Sequence, residues 1–256
     1  MRLNKIALLP LETVPGAIEQ NRYRIVEAIK HAAGKDAEWI VTPELAVCGL
    51  QVVQRIGTDW IQRPPDPWMQ QVCRLVRRLQ RTVFLSCPER DGPRLYNTVC
   101  VIDSTGEIVG KHRKTSVVSG SRSWSSPGDS VAPIECDGIK LGVLLCSDVY
   151  TSNIVRALRF EGAQLLVSPA SWGPGIHGPN GEWEQRSHDT GLPLIVCNRT
   201  GAEQTLDFWK APSLVAKNGD WLLSHTSDRS AVLTFDWDFS NMVPSTARFR
   251  ADYIRR

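Results

Sequence analysis

Apolar runs of strand length alternate with amphipathic stretches of helical length along most of this chain. "KIALLPL" (5–11) reads as a first strand, and within 17–33 Ile18, Ile25, Ala28 and Ile29 fall near one helical face. "EWIVTPE" is the next strand. "PDPWMQQVCRLVRRLQ" is the next helix, striped by Trp68, Val72, Leu75, Val76 and Leu79. "TVFLSCPE" and "NTVCVID" follow as strands, and "STGEIVG" turns at Gly106. Strands "IKLGVLLC", "AQLLVSPASW" and "PLIVCNRTG" then alternate with helices "NIVRALRFEGA" and "GEWEQRSHDTG". "SLVAKNGDWLLSH" predicts a hairpin turning at Asn218-Gly219, and "SAVLTFDWD" a further strand. Residues 173–181, rich in Gly and Pro, read as a loop. No repeat or linker divides the pattern, which predicts one α/β domain over residues 1–256, its strands covered by helices.

Composition narrows the classes. The 256 residues are 42% hydrophobic and 22% charged, with nine Trp to fill a large core. A net charge of +3, from 30 basic and 27 acidic residues, gives no reason to expect nucleic acid or an anionic membrane as partner. No apolar run approaches the roughly 18–20 residues that span a bilayer. The opening "MRLNKIALLPLETVP" is broken by Pro10 and Glu12 and reads as a strand, not a secretory segment. Seven Cys, at 48, 73, 87, 100, 136, 146 and 197, form no CxxC pair and suit reduced thiols in a cytoplasmic protein. The five His lie too far apart in sequence for metal spacing.

Three reactive side chains fall at strand ends: Glu44 closes "WIVTPE", Lys114 closes "GKHRK", and Cys146 closes "LGVLLC". Strand ends are where loops converge and pockets form. A lysine beside a cysteine lowers its pKa, and a carboxylate can take its proton. Taken singly, each has an ordinary reading: a buried small hydrophobe, a charge favouring a helix N-terminus, a solvated surface cation.

Their order and context decide more. "VTPELAVCGL", "YNTVCVIDSTGEIVGKHRK", "SPGDSVAPIECDGIKLGVLLCSDVY" and "GAQLLVSPASW" together resemble the nitrilase superfamily of carbon–nitrogen hydrolases. "VCNRTG", "SLVAKNGDWL" and "FRADYIRR" extend the likeness from about residue 3 to the end. The resemblance implies an αββα sandwich that assembles as a homodimer or larger homo-oligomer. It implies that Cys146 attacks a carbonyl carbon, that Glu44 is the general base, and that Lys114 with the Ser147 N–H steadies the oxyanion. It further implies that a thioester forms and water releases the acid, chemistry that needs no metal or other cofactor, and that the substrate is a small-molecule amide or a carbamoyl compound.

Cys146-Ser147-Asp148 fits the C-x-D pattern of amide-cleaving and carbamoyl-cleaving branches. One family feature is missing. Many members carry a further glutamate in the loop after the lysine, whereas "TSVVSGSRSWSSPGD" holds none and places Arg122 near that position. Three readings stay open: Arg122 recognises a substrate anion; an acid such as Glu182 or Glu184 enters the pocket from elsewhere; or hydrolysis is lost. The candidates for substrate contact are Ser147, Arg122, Trp124, Tyr150 and Trp172, the two last competing with core packing. His177 and His188 are more ordinary loop and structural histidines. Acyl transfer to an amine, or a binding role without catalysis, are the rival functions.

Overall fold

The computed structural model describes residues 3–117, 124–175 and 178–254. Numbered along the chain, the elements open with β1 (Leu3–Leu8), α1 (Ile18–Gly34) and β2 (Trp39–Val41). A short α2 (Val52–Ile56) precedes α3 (Pro67–Leu79), β3 (Thr82–Asp91), β4 (Arg94–Ile102) and β5 (Ile108–Arg113). Next come β6 (Ile134–Cys136), β7 (Ile139–Val143), α4 (Ser152–Phe160), β8 (Leu165–Ala170), α5 (Glu182–Thr190) and β9 (Leu194–Asn198). The small pair β10 (Ala202–Glu203) and β11 (Leu206–Asp207) leads into β12 (Ser213–Lys217) and β13 (Asp220–His225). The chain closes with β14 (Ala231–Asp238), β15 (Val243–Pro244) and β16 (Arg250–Tyr253).

Two sheets result. One runs β15-β14-β1-β2-β3-β4-β5, with β16 also on β14; the other runs β13-β12-β9-β8-β7-β6. Strands β1, β2 and β3 are parallel, as are β7, β8 and β9, so helical crossovers must return the chain each time.

Alternation along the strands assigns the layers. Ile6, Leu8, Trp39, Val41 and Phe84 of the first sheet meet Val143, Leu165, Val167 and Ile195 of the second in one buried cluster. The opposite face of the first sheet, through Ala7, Ile40, Val83 and Leu85, packs on Ile25, Ala28 and Ile29 of α1 and Val72 and Val76 of α3. Leu166, Leu194 and Leu214, on the outer face of the second sheet, pack on Val155 and Leu158 of α4 and Trp183 of α5. The order helix, sheet, sheet, helix is the αββα sandwich that the resemblance implies. Helix α3 starts on a side-chain cap: Asp66 Oδ1 accepts the Met69 N–H at 2.7 Å, with Pro67 in the first turn.

The four long helices and the hairpin at Asn218-Gly219 lie where the apolar pattern puts them. The pattern misses α2, β6, β16 and the two-residue strands, because segments of two to five residues are too short to express a period. It also shortens the β3–β4 hairpin, whose outer ends are half-exposed and polar at Arg90, Asp91 and Arg94.

Candidate active site

Strand β2 ends at Val41, and Thr42-Pro43 carries the chain to Glu44, which is 1% exposed. Its backbone is pinned from the other sheet: Glu44 N donates to Ala170 O at 3.4 Å, and Ser171 Oγ donates to Glu44 O at 2.8 Å. The carboxylate is pinned as well. Oε1 accepts from Lys114 Nζ at 2.6 Å and Asn97 Nδ2 at 2.8 Å, and Oε2 accepts the Ser171 N–H at 3.1 Å. Lys114 follows β5 directly, and its N–H donates to Asn97 O at 2.8 Å. Asn97 on β4 therefore places both members of the pair, one through its side chain and one through its carbonyl.

Cys146 comes from the second sheet, in a 3-10 turn, Cys146–Tyr150, that follows β7. Its φ of +47° is the left-handed region, which costs an L-residue roughly 1–2 kcal/mol. Asp148 holds that turn, its own N–H donating to Leu145 O at 3.0 Å and its Oδ2 accepting the Leu145 N–H at 2.9 Å. The Cys146 thiol lies within the electrostatic reach of the Glu44 carboxylate, the Lys114 ammonium and the Ser171 backbone.

Electrostatics correct one expectation. Burial first, then the Glu44 charge, pushes the Cys146 thiol well above its ordinary value, and the pull of Lys114 does not offset them. The resting sulfur is a thiol beside a carboxylate, not a thiolate held by an ammonium. Burial also works against the Lys114 ammonium. Glu44, with Cys146 and Asp148 behind it, outweighs that cost and holds Lys114 above its usual range.

A family model described as carbon-nitrogen hydrolase matches residues 5–244. The chain belongs to the carbon–nitrogen hydrolase family. It is 28% identical over 205 residues to an (R)-stereoselective amidase from Pseudomonas sp, covering 77% of this chain and 72% of that one. It is 25% identical over 256 residues to an omega-amidase from Danio rerio, covering 91% and 90%. A variant of the amidase from Nesterenkonia sp. AN1, solved in complex with butyramide, superposes with a TM-score of 0.79 at 23% identity, covering 90% of each chain.

Around the three residues, this carbon–nitrogen hydrolase builds an aromatic wall. Tyr150, 36% exposed, meets Trp172 edge to face at 5.1 Å, and Trp172 meets Trp183 of α5 at 4.6 Å. Trp172 is thus both core and wall, and Asn198 fixes it by accepting its N–H and donating to its carbonyl, each at 2.8 Å. A cleft of ≈ 590 Å³ opens beside Tyr150, lined also by Thr115, Ser116, Ser125, Pro127 and Thr151. Ser147 is buried, its hydroxyl donating to Ser116 O at 2.6 Å.

Other candidates fare differently. Trp124 packs with the cluster of Leu45 and Cys87, whereas Cys146 shares a cluster with Trp172. Arg122 and His177 lie outside the described residues. Of the two acids, Glu184 accepts from the Trp221 indole on β13. Glu182 is the one near the wall: burial, then the Glu182 charge, holds the Tyr150 phenol well above its usual value. His188 is exposed on α5.

Asn97, Ser171, Asn198 and His112 are the site residues that reasoning from sequence did not single out, and Asp148 entered it only as the branch signature. All five lie inside the quoted motifs "YNTV", "SPASW", "VCNRTG", "CSDVY" and "GKHRK", which was the available signal. Among the described residues, no group of three or more His, Cys, Asp or Glu is placed to hold a metal ion. No helix among them is long and apolar enough to cross a membrane.

Proposed function

We propose that this chain hydrolyses a small amide or carbamoyl compound through a thioester on Cys146, releasing ammonia or an amine. The observation that carries the reading is the buried Lys114–Glu44 ion pair at 2.6 Å, with the buried Cys146 thiol under the charge of both. As Sγ bonds to the carbonyl carbon, its proton passes to Glu44. That spares the site a free thiolate in a buried, low-dielectric setting.

The oxyanion that forms faces Lys114 Nζ and the Ser147 N–H. The latter sits in the first turn of the 3-10 segment, where backbone donors have no intrahelical acceptor. Collapse of the tetrahedral adduct breaks the C–N bond, and the departing nitrogen takes the proton from Glu44. Glu44 then draws a proton from water as the water oxygen attacks the thioester. The acid leaves and the thiol is restored.

The test is ammonia release from a panel of aliphatic amides, with butyramide among them, beside intact-mass detection of an acyl adduct. Cys146→Ala is expected to abolish release while its circular dichroism and melting match the parent. Release undiminished in that variant refutes the mechanism. An amine acceptor added to the same assay separates hydrolysis from acyl transfer by the product formed. Light scattering reads the homo-oligomer that the reading includes.

A further inference from the structure

Lys114 is flanked on both sides by groups that converge on one buried carboxylate. Asp148 is wholly buried and accepts five hydrogen bonds from two separate stretches of chain. His112 Nε2 reaches Oδ2 at 2.8 Å, and Leu145 N reaches the same oxygen at 2.9 Å. Thr115 N and Thr115 Oγ1 reach Oδ1, each at 2.9 Å, and Ser116 N reaches it at 2.7 Å. His112 lies two residues before Lys114, and Thr115 and Ser116 immediately follow it. Leu145 immediately precedes the nucleophile. One carboxylate therefore fixes the nucleophile turn to both shoulders of the lysine, across the boundary between the two sheets.

We propose that His112 is a positioning residue for the reaction assigned above: through Asp148 it sets the registry between Lys114 and Cys146. His112 is 4% exposed and touches neither the thiol nor the Glu44 carboxylate in any hydrogen bond among the described residues, so it acts through its partner. Asp148 is ionised and accepts only, which makes the His112 Nε2 a donor. What the lysine needs is accuracy. An ammonium near a developing oxyanion loses effect steeply when displaced, and a buried donor pair removes that freedom in advance. Thr115 and Ser116 hold the far shoulder alone when His112 is gone, leaving the β5 side of Lys114 without its tie.

The proposal rests on the amide-hydrolase reading for one readout and is independent of it for the other. His112→Phe keeps a ring and deletes the donor; His112→Gln returns an N–H near the Nε2 position. The first measurement is kcat and KM with the best amide of the panel. The second is the pH profile of iodoacetamide alkylation at Cys146, followed by peptide mass spectrometry, which needs no substrate. With the clamp loosened, Lys114 pulls less on the sulfur, so alkylation shifts to higher pH. His112→Phe is expected to lose about tenfold or more in kcat with KM nearly unchanged, to show that shift, and to regain both in His112→Gln.

Thr115→Val, which deletes one donor but keeps the backbone, is expected to show smaller changes of the same sign, and it serves where His112→Phe does not fold. The proposal is overturned if His112→Phe keeps both kcat and the alkylation profile. It is equally overturned if His112→Gln is as impaired as His112→Phe, or if the losses follow only the unfolded fraction in a melt. If no amide is turned over by the parent, the functional reading fails, and the alkylation profile alone decides the clamp.

Discussion

Lys114 pairs with one buried carboxylate and, in the proposed mechanism, also faces the oxyanion; its removal separates the two. Breaking a buried ion pair from one side leaves an unpaired charge and costs ~3–5 kcal/mol. Losing an oxyanion donor costs roughly 10²–10³ in kcat. Lys114→Met is therefore expected to lower both urea stability and turnover. Adding Glu44→Gln should restore much of the stability and none of the turnover. A double variant as unstable as the single one refutes the ion-pair account. The reactive trio was legible in the sequence because reactive residue types at strand ends are visible in one dimension. The protonation state of Cys146 was not, since burial and the distance to Glu44 arise only when the two sheets meet. Asn97 and Ser171 escaped for the same reason: an amide and a hydroxyl look ordinary until a carboxylate arrives from the neighbouring element.

At the level of elements, the site depends on how closely loops approach strands. Gly128 N donates to Lys114 O at 2.8 Å, and a Cβ at Gly128 would lie 2.4 Å from Arg113 O. The obstacle is backbone, so the strand end that carries Lys114 must move to admit a methyl group. Gly128→Ala is expected to cost about 1–3 kcal/mol of stability and to depress kcat further than that loss explains. Thermal melts beside steady-state rates check this, and full activity at unchanged stability counts against it. Helices α1, α3, α4 and α5 were readable because 9 to 17 residues give a face time to repeat. The 3-10 turn of Cys146 was not, because its left-handed start is imposed by Asp148 and not by any local preference for glycine.

For the whole molecule, Asp148 is a tie between the two sheets as well as a local clamp. Burial opposes its charge, yet the His112 hydrogen bond and charge, with the Ser116 N–H, bring its pKa down to about 2 from 3.8. A lowered folded pKa stabilises the fold above the unfolded value and loses that contribution as pH falls through the folded one. Here the window runs from about pH 4 down to about pH 2, and the contribution is about 2 kcal/mol. The stability gap between the parent and Asp148→Asn, read by urea unfolding, is expected to be widest near pH 6 and to narrow by that amount near pH 2. A gap that does not change with pH removes the carboxylate from the account. The strand order carries a different consequence. Every strand of the second main sheet comes from one unbroken stretch, residues 134–225, whereas β1 lies beside β14, more than 220 positions further on. On a ribosome, then, the layer bearing the cysteine has all its strands before the layer bearing the glutamate and lysine can be completed. Nascent chains hold every strand of the cysteine's sheet before β14, the strand that flanks β1 in the other sheet, has been made.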